Sequence, residues 1–454
     1  MTKRHSNVRP DCYFQAVLLR FEVSNHRSVL DPVELSMVAV DEDRPSVRAF
    51  DRLPERVLAV AGIYGANASG KSNVIEALAW LSAAVRRSLR AWERFIPRDP
   101  FKFGRGPQQP SVYEVEMVVA GVRYAYRLEV DDSAVLFEGL YSYPERRRRV
   151  LFEREGLDVR FRRGLGTLSG TKELLTPTTL VLSAAMRFNE PQVQEFAFSL
   201  GGIAVLGMQR RAPWRRRFGA EGFGVTPTEL LFEDADSYRQ HSLFEDPDLV
   251  YPSPRESALA LLRFADLGID DVKFVEEVVE EKMVMAEPDR GQRRGPRRKL
   301  TLVHRVRGQD LPFDLEEESI GTQTWFALIG PTLNALRSGR VLLFDEIDAS
   351  LHPRLSARLV ELFDDPDTNP EGAQLIFTTH DTSLLNHLNR DEVWLTEKNE
   401  HGATTLTGLA EYGGDKVRRS LNLERAYLQG RFGAVPDLDQ FKLRRALGLV
   451  SSDA

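Results

Sequence analysis

The chain holds a single cysteine, Cys12, among 454 residues. That excludes an internal disulfide framework and any cysteine-rich zinc site, and it suits a reducing compartment. No stretch approaches roughly 18 uninterrupted apolar residues, and the opening MTKRHSNVRPDCYF is too polar for a signal peptide. The expectation is a cytoplasmic protein with no membrane span. Sustained heptads and internal repeats are also missing, which excludes long coiled-coil arms and solenoids. Net positive charge is absent: the formal balance of -6 gives no general attraction to nucleic acid or an anionic membrane. What remains is an ordinary globular composition, 42% hydrophobic and 28% charged, at a length that suits two or three lobes.

Ala16 to Val23 and Arg56 to Ile63 read as buried strands, and the second runs into a glycine-bearing loop followed by a helical pattern over Ser72 to Arg90. Tyr113 to Val130 alternates around Ala120-Gly121 as a β-hairpin, with Val135 to Tyr143 continuing the same antiparallel sheet. The middle is mixed, with a strand expected at Thr179 to Ser183, a helix at Glu256 to Leu267 and an exposed Gly/Pro/Arg loop at Asp289 to Arg298. Later segments alternate: helix Ser319 to Leu336, strand Arg340 to Phe344, helix Arg354 to Phe363, strands Gln374 to Thr378 and Glu392 to Thr396. Strands alternating with helices imply an α/β fold with a parallel sheet. The expected division is 1–145 and 299–454 as two halves of one head, with an inserted, mostly helical lobe at 146–298.

Gly65-Ala66-Asn67-Ala68-Ser69-Gly70-Lys71-Ser72 matches G-x-x-x-x-G-K-S after a buried strand and at a helix start. The glycines let backbone N–H groups converge on phosphate, and the helix N-terminus adds a positive dipole end. Gly65, Asn67, Gly70, Lys71 and Ser72 form the expected nucleotide-binding set. Lys71 neutralises β and γ oxygens, and Ser72 ligates magnesium. Val341-Leu342-Leu343-Phe344 then delivers two carboxylates, Asp345 and Glu346. Read alone this is an acidic strand end, but with a phosphate loop upstream Asp345 becomes a magnesium ligand and Glu346 the group that polarises the attacking water. Ser319 with its acidic neighbours is physically sufficient as a helix cap, yet a helix N-terminus pointing out of one copy is also an anion site for another.

The block Phe344-Asp345-Glu346-Ile347-Asp348-Ala349-Ser350-Leu351-His352-Pro353 resembles the Walker B and D-loop of ABC-type ATPases, in particular their RecF- and SMC-like branch. Phe377-Thr378-Thr379-His380-Asp381 resembles the H-loop, which implies that His380 contacts the γ-phosphate and the catalytic water. Glu316-Glu317-Glu318-Ser319-Ile320-Gly321-Thr322-Gln323 resembles a degenerate signature motif, with Ser319 and Gly321 facing nucleotide held by a second copy. Phe21 to Ser28 resembles the N-terminal strand and turn of RecF-like heads, which places Asn25 and Arg27 near the nucleotide; a surface turn fits the same residues. Gln108 and Gln109 are the nearest candidates for a Q-loop glutamine. With the tail Tyr427-Leu428-Gln429-Gly430-Arg431-Phe432-Gly433-Ala434-Val435-Pro436, the nearest likeness is the AAA_15-type group of abortive-infection and anti-phage systems. The resemblance implies an ATP- and Mg2+-dependent ATPase that pairs head-to-tail with itself, or in a higher homo-oligomer, and acts through a separate effector, a nuclease. A DNA-repair ATPase of RecF type is the alternative, and the soluble ATPase subunit of a transporter is a third, less favoured reading.

His352 and His380 have no second His or Cys at ligand spacing, so no zinc site is expected. Arg146 to Arg149, Arg210-Arg211, Arg215 to Arg217 and Arg293 to Arg298 are local positive runs that could meet a nucleic-acid backbone, or could be solvated loops.

Overall fold

A computed structural model describes residues 15–50, 53–208, 228–233, 252–265, 268–277, 297–349, 351–412 and 422–435, with Arg444 and Leu447. In chain order its strands are β1 Ala16–Ser24, β2 Val33–Ser36, β3 Val60–Gly65, β4 Ser111–Val119, β5 Val122–Val130, β6 Val135–Ser142, β7 Arg149–Glu155 and β8 Asp158–Phe161. There follow β9 Ala204–Leu206, β10 Ile269–Glu277, β11 Arg297–Val306, β12 Gln309–Asp314, β13 Val341–Phe344, β14 Gln374–Thr378, β15 Val393–Lys398 and β16 Thr404–Gly408. The core sheet runs β16-β15-β3-β14-β13-β9. All its pairs are parallel except β15 with β16. β3 and β13 are buried throughout, which is why they read as unbroken apolar runs rather than alternating ones.

A second, antiparallel sheet runs β2-β1-β4-β5-β6-β7-β8. Its β4–β5 hairpin turns on Ala120 and Gly121, both at positive φ, 49° and 74°. Helix α1, Lys71–Ala91, lies between the two sheets and is buried along most of its length. Trp80 from α1 stacks on Tyr113 of β4, with ring centroids 4.6 Å apart. The helix Ile320–Ser338 covers the other face of the core sheet, where Phe326, Ile329 and Leu336 join Leu342 and Leu375 in one apolar cluster. Helices on both faces of a parallel sheet make this an α/β head, as the alternation of elements implies. No helix of the described residues is long and apolar enough to cross a membrane.

The middle of the chain contributes to both sheets. β7 and β8 extend the antiparallel sheet from β6, and β9 joins the edge of the core sheet beside β13. β11 pairs with β10 and β12 in a three-stranded antiparallel sheet. The helix expected at Glu256 to Leu267 is present as Pro254–Phe264. The strand expected at Thr179 to Ser183 is instead the start of a helix, Val181–Ala185.

Glu138 is the reason for that helix. Its buried carboxylate accepts the N–H groups of Val181 at 2.7 Å and Leu182 at 3.0 Å, capping the turn from another strand. Arg154 of β7 lies 3.8 Å away, with both side chains fully buried. Arg154 also donates to the carbonyls of Thr179 and, at 2.8 Å, Thr176. Burial raises the Glu138 pKa, while Arg154 and the donated hydrogen bonds work against that rise. Taking away either member would strand a buried charge, a loss of about 3–5 kcal/mol.

Candidate nucleotide-binding and catalytic site

β3, β14 and β13 lie side by side and parallel, so the segments that follow them emerge on one edge of the core sheet. Ligands of open α/β sheets bind at this carboxyl edge. After β3 the chain turns through Gly65 and Gly70, at φ 152° and 110°, into α1. Neither glycine has room for a side chain: a Cβ on Gly65 would lie 2.5 Å from the Thr396 carbonyl, and one on Gly70 would lie 2.1 Å from the Thr404 hydroxyl. Asn67 and Ala68 are exposed at the tip, and Ser72 occupies the second position of α1. The loop is braced from outside. Ser69 meets the Thr396 hydroxyl at 2.6 Å, Thr404 donates to the Ser69 carbonyl at 2.7 Å, and Ser28 contacts Thr404 at 2.7 Å.

Lys71 is buried and donates to the carbonyls of Gly65 at 2.9 Å and Ala66 at 3.2 Å. Its ammonium also lies 3.4 Å from His380 Nδ1. An ammonium can only donate, so a hydrogen bond here requires Nδ1 to accept. Burial lowers the Lys71 pKa from its ordinary value, and Asp348, Asp345 and Glu346 oppose the shift in that order. The loop lysine and the carboxylates after β13 thus share one electrostatic site.

Asp345 is nearly buried, and one of its oxygens accepts the Thr378 hydroxyl at 2.6 Å. The same hydroxyl oxygen accepts the Glu346 N–H at 2.8 Å. Glu346 has φ 55°, a left-handed conformation uncommon for a residue with a side chain and characteristic of functional sites. Two hard oxygen donors, the Ser72 hydroxyl and the remaining Asp345 oxygen, fit the ligand preference of magnesium. Among the described residues no cluster of three or more His, Cys, Asp or Glu offers another metal site.

Ser319 caps the helix Ile320–Ser338, accepting the Thr322 N–H at 3.1 Å. Gly321 is half-buried, while Ile320 beside it is 71% exposed, an apolar side chain held out to solvent at the tip of the signature-like segment. Arg27 pairs with Glu76 and, at 3.2 Å, with Asp99, and approaches Asn73 of α1 at 3.5 Å. It therefore flanks the first turns of the phosphate helix. Asn25 is buried. Its amide nitrogen donates to the carbonyls of Gly106, Gln109 and Pro110 at 2.8, 2.8 and 3.2 Å, and its oxygen accepts the Phe101 N–H at 2.9 Å. Asn25 thus clamps the 101–110 segment. Gln108 is exposed and Gln109 half-buried in that segment.

Arg146, Arg147 and Arg148 are exposed after β6, with Arg148 over the Tyr141 ring at 4.0 Å. Arg162, whose N–H donates to the Leu151 carbonyl at 2.9 Å, brings Arg163 to the same corner. Arg210-Arg211, Arg215 to Arg217 and residues 293–296 lie outside the described residues, as does Ser350. The residues that sequence reasoning missed are Ser28, Thr396 and Thr404. They carry no motif, and β16, which supplies Thr404, was not read as a strand.

A family model matches residues 60–179 and 216–386, well over half of the chain, with both the phosphate loop and the carboxylate pair inside the match. The chain belongs to the AAA_21 family. Its description reads "AAA domain, putative AbiEii toxin, Type IV TA system". With the phosphate loop in place after β3, membership makes this chain an ATPase of the AAA-domain kind. Similar solved structures are distant. An Smc head bound to the C-winged helix domain of ScpA is 13% identical, covers 86% of this chain and 97% of its own, and has a TM-score of 0.43. The SMC head domain from Thermotoga maritima is 14% identical, with 86% and 98% covered and a TM-score of 0.37. A Pyrococcus furiosus Smc head bound to the C-terminal domain of ScpA is 13% identical, with 87% and 97% covered and a TM-score of 0.39. No curated protein matches the chain significantly.

Proposed function

We propose that this AAA_21 chain binds ATP with Mg2+ and hydrolyses it in a site completed by a second copy. In this reading it is the regulator or sensor subunit of an abortive-infection-like defence system that acts on a separate effector, a nuclease. The observation that carries the chemistry is the convergence of Lys71, His380, Asp345 and Glu346 at one sheet edge. The family's description through a toxin and its TA system supports the defence setting.

The loop N–H groups and Lys71 would hold the β and γ phosphates, and Ser72 and Asp345 would hold the magnesium, which supplies charge neutralisation when bound. Glu346 accepts a proton from the attacking water. His380 Nε2–H donates to the γ-phosphate as charge builds on it. Ser319 and the N–H groups at the start of its helix meet the triphosphate of the other copy, and Ile320 packs at the joint. Arg27 lines the nucleotide end of α1.

Ser319→Arg should leave nucleotide binding by a single head within about threefold of wild type and abolish turnover, because an added cation at a desolvated joint keeps the copies apart. Mixing Ser319→Arg protein with Lys71→Ala protein should restore part of the turnover, since one intact composite site forms per mixed pair. Steady-state hydrolysis of each variant and of the mixture is the measurement. Full activity of Ser319→Arg alone would remove the pairing role.

A second reading, a DNA-gripping ATPase, is favoured by the exposed arginine corner at Arg146 to Arg148 with Arg162 and Arg163. It expects hydrolysis to rise with duplex DNA, a binding slope against log salt of about -0.9 per phosphate contacted, and loss of both in Arg147→Glu/Arg162→Glu. Salt-insensitive turnover unaffected by DNA would rule it out.

A further inference from the structure

We propose that Asp348 is a positioning residue for hydrolysis, fixing the segment that carries His380 to the segment that carries Glu346; the inference rests on the ATPase reading above. Asp348 lies two residues past Glu346 in the turn after β13, and His380 lies two residues past the end of β14. β13 and β14 are neighbours in register, Phe344 beside Phe377, so the two turns leave the sheet together. One further backbone bond, from the Ile347 N–H to the Thr378 carbonyl at 3.0 Å, joins the turns just past the strands. Beyond it the side chain of Asp348 makes the connection.

One Asp348 oxygen accepts the Thr379 hydroxyl at 2.7 Å. The His380 backbone N–H lies 3.2 Å from that oxygen and 3.3 Å from the other. Thr379 is almost wholly buried and in turn accepts the Asp381 N–H at 2.9 Å, so three consecutive residues of the histidine turn are tied to a single carboxylate. A second tie runs parallel to it: Thr378 bridges the Asp345 carboxylate and the Glu346 N–H. Thr378 sets the distance between the two strands' ends, and Asp348 sets the rotation of the His380 backbone on which the imidazole depends. Among the described residues, Lys71 is the one polar contact of the ring. The imidazole's aim therefore comes from its backbone, and the backbone's from Asp348.

Asp348 also faces the phosphate loop. Of the three carboxylates that favour the charged form of Lys71, it exerts the largest effect. Removing its carboxylate takes one negative charge from beside the phosphate loop and leaves the Lys71 bonds to the Gly65 and Ala66 carbonyls in place, so the attraction for a triphosphate is kept. The proposal thus predicts a split: substrate binding survives the loss of Asp348, while the step that needs His380 in place does not.

The test uses the full chain with Mg2+ and ATP. Asp348→Ala should keep the dissociation constant for ATP within about threefold of wild type while kcat falls on the order of 10²-fold, the effect of a group displaced by about 1 Å. Asp348→Asn retains an oxygen that accepts from Thr379 and His380, and should recover most of the lost kcat. The double variant Asp348→Ala/His380→Ala should be no slower than His380→Ala alone, because both act through one group. Independent, multiplying losses in the double variant would overturn the proposal, as would wild-type kcat in Asp348→Ala. Imidazole 15N shifts of His380 supply a readout without turnover. They should move in Asp348→Ala and stay in Asp348→Asn, and unmoved shifts in both variants would also overturn it. Failure of the wild-type chain to hydrolyse ATP would instead count against the ATPase reading.

Discussion

Glu346→Gln is expected to bind Mg-ATP as tightly as wild type and to hydrolyse it 10² to 10⁴ times more slowly, about the contribution of a positioned general base. The substitution keeps size and polarity, so the left-handed turn at φ 55° and the N–H bond to Thr378 are preserved. Only the capacity to take a proton from water disappears. Because the closed pair opens after hydrolysis in this scheme, the variant should accumulate as a nucleotide-loaded pair, visible as a doubling of mass in light scattering with ATP but not with ADP. Turnover at the wild-type rate would assign the proton to another group.

The second large effect is expected for Lys71→Ala. Lys71 is held by two loop carbonyls and the His380 ring, and it is the buried cation of this edge. A charge-assisted hydrogen bond to an anion contributes about 1.5–3 kcal/mol, so its loss should weaken ATP affinity by about 10- to 10²-fold. The same truncation leaves Asp345, Glu346 and Asp348 facing the phosphates without their counter-charge, so the loss should be larger for ATP than for ADP. Isothermal titration with the two nucleotides measures both. Equal affinities for wild type and variant would place the phosphates elsewhere.

The groups that gather at this edge were legible in the sequence because each is a contiguous run of residues. A loop of fixed spacing, two acids after an apolar strand and a histidine after another each carry their own signature, and the sheet brings them together. The parts that were not legible depend on partners far along the chain. Arg154 is buried because Glu138 meets it from the neighbouring strand, a pairing that no local pattern carries. The segment after Thr179 has strand-like composition, yet it is helical because that same carboxylate caps it. The amide of Asn25 is held by carbonyls more than eighty residues away, which its local sequence does not show. Thr404 braces the phosphate loop from a strand whose alternating threonines gave no apolar periodicity to read.

The most direct test of the account is the rate of phosphate release per head from Mg-ATP, measured while the protein concentration is raised. Paired heads predict a specific activity that climbs with concentration to a plateau, vanishes on chelating magnesium, and is absent in Glu346→Gln. A chain that neither retains nor cleaves ATP at any concentration, by itself or with its natural partner, would contradict the central claim.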